Sequence, residues 1–361
     1  MITKRMNSTS LMMKSIKELS LNISEPEYRK LGGFSYSMLA KFLRSGDPKV
    51  LVTPSHDESD ALRFGSLVDC LMTEPDLLED RFFITSMKTP SPTITSVMLY
   101  IYKKVPNAKS FTFVPNEVKL EALDNFDYAT SWSSKTRLDR LDKQSFYYTL
   151  LQRSEGKIVM SEEDLTLATL CVKILKTHPF TEKYMGDEDP FNPKIEKINQ
   201  LKFSSTYHGN LIRCMFDRII VDHDAKTIQP IDLKTSGKKE EKFELSALEW
   251  DYYIQASMYT QILLDVISED EYFKDFTILP FKFVVINRFE RTPMVWSYPF
   301  SRLNRNIIDD QQTLLQKNGY KSWRELIKEA AWHIENNKFD YSYETYMSGG
   351  ERTIDFSKYL R

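Results

Sequence analysis

Two apolar runs joined by a short polar segment dominate the middle of this chain. Residues 211–221 and 228–235 are rich in β-branched and aromatic side chains, and Asp222-His223-Asp224-Ala225-Lys226-Thr227 lies between them. That pattern predicts a β-hairpin. Upstream, Phe64, Leu67, Val68, Leu71 and Met72 recur at helical spacing, predicting a helix over 58–74 that stops at Glu74-Pro75. Gly65 and Asp69 lie four apart on a neighbouring face. A glycine inside a helix weakens it, so close packing against Gly65 is expected. Ser35 or Ser37 can cap a helix through Met38, Leu39, Phe42 and Leu43, and Ser161-Glu-Glu-Asp opens another that runs to His178-Pro179. Strands are expected at 195–203, 281–286 and 294–298, and helices at 246–267, 302–317 and 321–336. The order strand, hairpin, helix, strand, with helices on either side, predicts an α/β core with helical decoration. Residues 1–25 read as a flexible tail and 26–361 as one domain. Within it, a mixed stretch containing Pro90, Pro92 and Pro106 reads as an inserted lobe over about 85–155.

The hairpin carries candidate chemistry. With the turn centred between Asp224 and Ala225, Asp217 falls opposite Asp232. Cross-strand partners have Cβ atoms about 4.5–5.5 Å apart, where two bare carboxylates repel. On this reading, removing either aspartate relieves strain in the metal-free protein. Lys234, two residues beyond Asp232, projects from the same face. A divalent cation would explain two carboxylates and an ammonium on one patch. In the next helix Tyr252, Gln255 and Tyr259 form a polar-tipped stripe able to hydrogen-bond a phosphate backbone or orient the lysine. The bland alternatives are solvated hairpin carboxylates, an exposed strand-end lysine and the wet edge of an amphipathic helix. The five histidines show no ligand spacing.

Composition narrows the class without selecting the function. Hydrophobic residues make up 41% and aromatics 13% of 361 residues, enough for a substantial core. No apolar run is long enough for a transmembrane helix. The segment MITKRMNSTSLMMKS lacks the apolar stretch of a secretory signal. Lys+Arg number 49 against Asp+Glu 51, so nothing supports a globally basic nucleic-acid binder, although a local groove needs only local charge. Three scattered cysteines, Cys70, Cys171 and Cys214, suit a reduced cytoplasmic compartment and are too few for a Cys₄ iron–sulfur cluster.

Taken together, Asp217, Asp232-Leu233-Lys234 and Gln255-Ala-Ser-Met-Tyr259 resemble the PD-(D/E)xK nuclease superfamily, in its RecE-type and lambda-type phage recombination exonuclease branch. Phe34-Ser-Tyr-Ser-Met-Leu is similar to that branch's opening helix. Leu62-Arg-Phe-Gly65-Ser-Leu-Val-Asp69 through Leu71-Met-Thr-Glu74-Pro75 is similar to its G-x-x-x-H helix. The likeness covers about 34–75 and 160–265. One departure stands out, since Asp69 occupies the place of the usual metal-binding histidine. Aspartate is an adequate ligand for Mg²⁺ or Mn²⁺, so the change bears on metal preference more than on activity.

The resemblance implies a restriction-endonuclease-like fold with a central mixed β-sheet flanked by helices. It also implies a Mg²⁺- or Mn²⁺-dependent DNA exonuclease acting at duplex ends in recombination or repair. Asp217, Asp232 and the Leu233 carbonyl would be the ligands, with Asp69 and Glu196 as further candidates. Lys234 would act on water and phosphate, and Gln255 and Tyr259 would hold the substrate strand or the lysine. Lys238, Lys239, Lys242 and Tyr252 are candidate DNA contacts, and Trp132, Lys135, Arg137 and Arg140 could line a narrowing lobe. A homo-oligomer and a single-strand annealing partner, in a bacterial or phage-infected cell, belong to the same expectation. The rivals are an endonucleolytic or structure-specific nuclease on this core, and a nuclease-like binding module without catalysis.

Overall fold

The computed structural model describes residues 13–53, 59–303, 306–351, 353 and 354. In chain order its strands include β1 (Phe34–Ser35), β2 (Phe82–Thr85), β3 (Ile158–Ser161), β4 (Ile195–Tyr207), β5 (Asn210–Asp222), β6 (Thr227–Ser236), β7 (Thr277–Ile278), β8 (Phe281–Asn287) and β9 (Pro293–Tyr298). The central sheet is mixed. β4 runs antiparallel to β5 with one break at Gln200, β5 to β6 and β8 to β9, whereas β6 and β8 are parallel. A parallel step needs a crossover. The chain makes it through the Tyr252–Ser268 helix, which is buried along most of its length.

One edge of β5 decides where a site can form. Its Arg218–Asp222 stretch pairs with β6, while Ile212 and Arg213 pair in parallel with β1. Between the two pairings the described residues leave 214–217 without a strand neighbour on that edge. Helices cover both faces. The Tyr36–Ser45, Tyr252–Ser268 and Trp323–Asn336 helices share one core with Phe203, Phe216 and Phe281. On the other face Phe64, Leu67 and Val68 from the Asp60–Thr73 helix pack with Cys171 and Leu175 from the Glu162–Thr177 helix over Ile231 and Leu233. The sheet alternation explains this division, because odd and even residues of β6 point to opposite sides. Among the described residues no helix is long and apolar enough to cross a membrane.

The stretch expected as a lobe has its own core of Ile94, Val97, Leu123, Leu141, Tyr148 and Leu151, built by four helices between Pro92 and Arg153. β2 and β3 pair in parallel from Phe82↔Ile158 to Thr85↔Ser161, so the chain leaves and re-enters the body side by side.

Three expectations need correction. Residues 13–25 are not a loose tail: Lys14 Nζ lies 2.5 Å from Asp270, and Ile16 is fully buried. Residues 1–12 lie outside the described residues. The expected 246–267 helix is two helices, Phe243–Glu249 and Tyr252–Ser268, because Asp251 adopts a left-handed backbone at φ 58°. Arg44 holds this corner through the Trp250 carbonyl (3.2 Å) and the Asp251 carboxylate (3.1 Å). The expected 302–317 helix begins only at Asp310, where Asp309 caps it; residues 301–303 and 306–308 pair as a ribbon instead.

Candidate active site

The hairpin register is the one the turn implies. Asp222 pairs with Thr227, and the ladder continues to Arg218↔Ile231. There it stops. At the next position the Asp217 carboxylate, Oδ2, accepts the Leu233 N–H at 2.7 Å. Asp217 and Asp232 therefore sit at the mouth of the gap on the edge of β5, where two strands part.

Asp232 is 4% exposed and faces the Tyr252–Ser268 helix. Gln255 Nε2 donates to its Oδ1 at 2.5 Å, and Lys234 Nζ lies 2.6 Å from Oδ2. The lysine in turn lies over the Tyr252 ring, 4.5 Å from its centroid. Burial pulls the Lys234 ammonium toward losing its proton. Asp232, together with Tyr252, Tyr36 and Asp217, more than offsets this and raises its pKa overall. Lys234 is thus a fixed positive charge. Tyr36, next in sequence after β1, reaches the same pocket wall and donates to the Trp250 carbonyl at 2.6 Å.

Asp69 arrives from the opposite helix. Gly65, one turn earlier, lets that helix press onto β6: a Cβ there would lie 3.1 Å from Thr235 Oγ1. The close approach expected from the mid-helix glycine is present. Gln200 Nε2 donates to the Asp69 carboxylate (3.2 Å to Oδ2) and to Thr73 Oγ1 at 3.0 Å. Gln200 stands across β4 from Asp217, between the paired residues Asn199 and Leu201, with a left-handed φ of 55°. Sequence reasoning missed it, because nothing in a lone glutamine on a strand signals that backbone kink.

The three carboxylates act on one another. Burial, then Asp232 and the Glu25 and Glu74 carboxylates, push Asp69 up to about 7 against the pull of Arg81. Burial, then Asp232 and Asp69, hold Asp217 well above the usual carboxylate range despite Lys234 and the Leu233 N–H. Elevation of Asp69 and Asp217 beside Asp232 marks negative charge short of counter-charge. Among the described residues no three Asp, Glu, His or Cys side chains already form a ligand group for a metal. The donor chemistry nonetheless suits a hard divalent cation: three carboxylates, with Asp232 Oδ2 buried and faced by the Lys234 ammonium.

Other expected residues are placed differently. Glu196 lies toward the turn end of the strands, paired with Val221. Its carboxylate takes the Ser15 hydroxyl and the Ile16 N–H (3.2 Å) and faces His223 Nε2 at 3.7 Å. It is separated from Asp217 by four residues of strand, about 13 Å, and is not brought to the carboxylate cluster. Gln255 and Tyr259 are not a wet helix edge; they are 3% and 8% exposed. Tyr259 packs edge-on against Phe216 and Tyr36. Lys238, Lys239 and Lys242 are exposed, but Lys238 is paired with Glu249. In the lobe Arg137 is buried against Asp124 (2.7 Å), which removes it from any lining role, while Arg140 lies over the exposed Trp132 and Lys135 is exposed. His56 lies outside the described residues.

Comparison with known proteins adds little. No protein-family model and no curated protein matches the chain. Among solved structures, a protein of Eubacterium rectale, provisionally named an exonuclease, aligns over 94% of each chain at 12% identity and a TM-score of 0.40. So slight a likeness carries no argument, and the reading of the site rests on its own geometry.

Proposed function

We propose that this chain is a Mg²⁺- or Mn²⁺-dependent deoxyribonuclease of the PD-(D/E)xK kind, working as an exonuclease from duplex ends. The observation that carries the reading is the approach to the gap between β5 and β6 of Asp217, through the Leu233 N–H, of Asp232, with Lys234 at 2.6 Å, and of Asp69, through Gln200 opposite Asp217. Asp217, Asp232 and Asp69, with the Leu233 carbonyl, would hold the cation. When bound, it offsets phosphate charge and lowers the pKa of a coordinated water.

The protein's own side chains then have distinct tasks. Lys234, held by Asp232 and the Tyr252 ring, donates to a phosphate oxygen as charge builds in the transition state. A lysine kept protonated serves this role better than that of a general base. Gln255 fixes the rotation of the Asp232 carboxylate, and Gln200 does the same for Asp69. Tyr259 supports Phe216, the residue before Asp217, from within the core. The exonuclease mode, a ring-forming homo-oligomer and a single-strand annealing partner come from the resemblance in the sequence motifs.

The test is release of nucleotides from linear duplex DNA by purified protein with Mn²⁺ or Mg²⁺, abolished by chelation and by Asp232→Asn. Survival of covalently closed circles under the same conditions supports end-dependence. Cutting of those circles at a comparable rate selects the endonuclease reading, and metal-independent DNA binding without turnover selects the binding module.

A further inference from the structure

Away from the carboxylates, the Glu162–Thr177 helix, the short Glu182–Met185 helix with the residues after it, and β4 enclose an open groove of about 610 Å³. Four lysines line it from three separate elements: Lys173, Lys176, Lys183 and Lys197, against Glu182 and Asp187. Lys173 and Lys176 are three apart and share a helix face. Lys176 is tied to Asp187 at 2.6 Å, and Lys197 Nζ donates to the Gly186 and Asp187 carbonyls at 3.0 and 3.2 Å. Among the described residues Lys173 and Lys183 have no acidic partner within 4 Å, and both are exposed. A chain of net charge −2 thus gathers an excess of positive charge in one place. The expected basic loop is weaker by comparison, since Glu240, Glu241 and Glu249 accompany Lys238, Lys239 and Lys242.

The groove is joined to the carboxylate cluster through the sheet. Arg218, the residue after Asp217, donates to the Tyr184 and Gly186 carbonyls at 3.1 Å each, so groove floor and site share one strand. Lys197 pairs with Ile220, three residues beyond Asp217. That is about 10 Å along the strand, or roughly three steps of duplex rise at about 3.4 Å each.

We propose that this groove binds the phosphate backbone of the nucleic-acid substrate a few nucleotides from the scissile bond, an inference that rests on the nuclease reading for the identity of its polyanion. Exposed ammonium groups spread along an open groove suit a repeating phosphate chain, which gains affinity by releasing counterions. They recognise charge, not sequence.

The experiment uses the full chain with Lys173→Glu and Lys183→Glu together, and Lys173→Arg/Lys183→Arg as the charge-keeping control. Binding of a labelled linear duplex is followed by anisotropy in chelator across a salt series. The double glutamate variant should bind at least tenfold more weakly, with a log Kd against log salt slope shallower by about 1.8, at about 0.9 per lost phosphate contact. The arginine control should bind like the parent. Manganese-dependent hydrolysis of bis(p-nitrophenyl) phosphate, too small to span both places, should be unchanged in every variant. An unaltered slope in the glutamate variant overturns the proposal, whatever the activity. The expected slope change in a protein that hydrolyses neither substrate upholds the groove and removes the nuclease reading. Absence of duplex binding by the parent, with binding instead to phosphatidylserine vesicles, also overturns it.

Discussion

The sheet around the β5–β6 hairpin has a turn end and an open end, and they treat negative charge oppositely. At the turn end Glu196 accepts from the Ser15 hydroxyl and the Ile16 backbone and faces the His223 ring, whose other nitrogen lies 3.0 Å from the Tyr272 hydroxyl. At the open end Asp217 takes one backbone N–H and Asp69 one side-chain amide, and both are pushed up by burial and then by Asp232. The difference follows from pairing. Where the ladder closes, neighbouring segments pack in and bring donors. Where the strands part, carboxylates meet across a gap, and only added positive charge relieves them. An acid's position along a strand therefore says more about its role than its identity does.

The sharpest break in that comparison comes from the open end. Asp232→Ala should abolish metal-dependent turnover and destabilise the metal-free protein by about 3–5 kcal/mol, because it leaves the Lys234 ammonium buried without its partner. Asp217→Asn should also abolish turnover yet raise the melting temperature, because it removes a carboxylate that burial and then Asp232 and Asp69 disfavour. The sequence expectation that removing either aspartate relieves strain is thereby narrowed to a prediction for Asp217 alone. Equal destabilisation by both substitutions would contradict this asymmetry. Lys234→Ala should cut turnover by about 10²–10³-fold while Mn²⁺ still binds by calorimetry.

A pH series sharpens the same contrast. The folded state holds the Asp69 proton more tightly than the unfolded chain, with its pKa pushed up to about 7 by burial and by the neighbouring carboxylates. Its contribution to stability is fully present below the unfolded value and is lost as pH rises through about 7. In chelator, the urea midpoint should fall between pH 4 and 8. The fall should shrink in Asp69→Asn and when Mn²⁺ is added. A midpoint that rises with pH over this range would show that Asp69 is not repelled.

Smaller effects belong to the residues around the gap. Gln200→Ala should weaken Mn²⁺ by about tenfold, the low end for a residue that orients a ligand, with little change in melting temperature. Glu196→Ala should leave turnover per folded molecule unchanged but cost about 1.5–3 kcal/mol, the scale of hydrogen bonds to a charged group. Loss of turnover in that variant at full folding would place Glu196 in the site after all.

Local patterning alone determined much of this protein. β-Branched runs around a polar turn set the register that places Asp217 level with Asp232, and the apolar spacing around Gly65 set the Asp60–Thr73 helix. Both depend on contacts within a few residues, where periodicity and turn chemistry dominate. Long-range packing decided the rest. The burial of Ile16, the left-handed corner at Asp251 and the kink at Gln200 are stabilised by Asp270 and Glu196, by Arg44, and by Asp69 with Thr73 respectively. Those partners lie far away in sequence, so no local pattern announces them. Glu196 shows the limit most clearly. Its spacing before Asp217 matched a ligand, but the register of β4 carried it about 13 Å along the strand to the closed end, where Ser15 and the Ile16 N–H already donate to it.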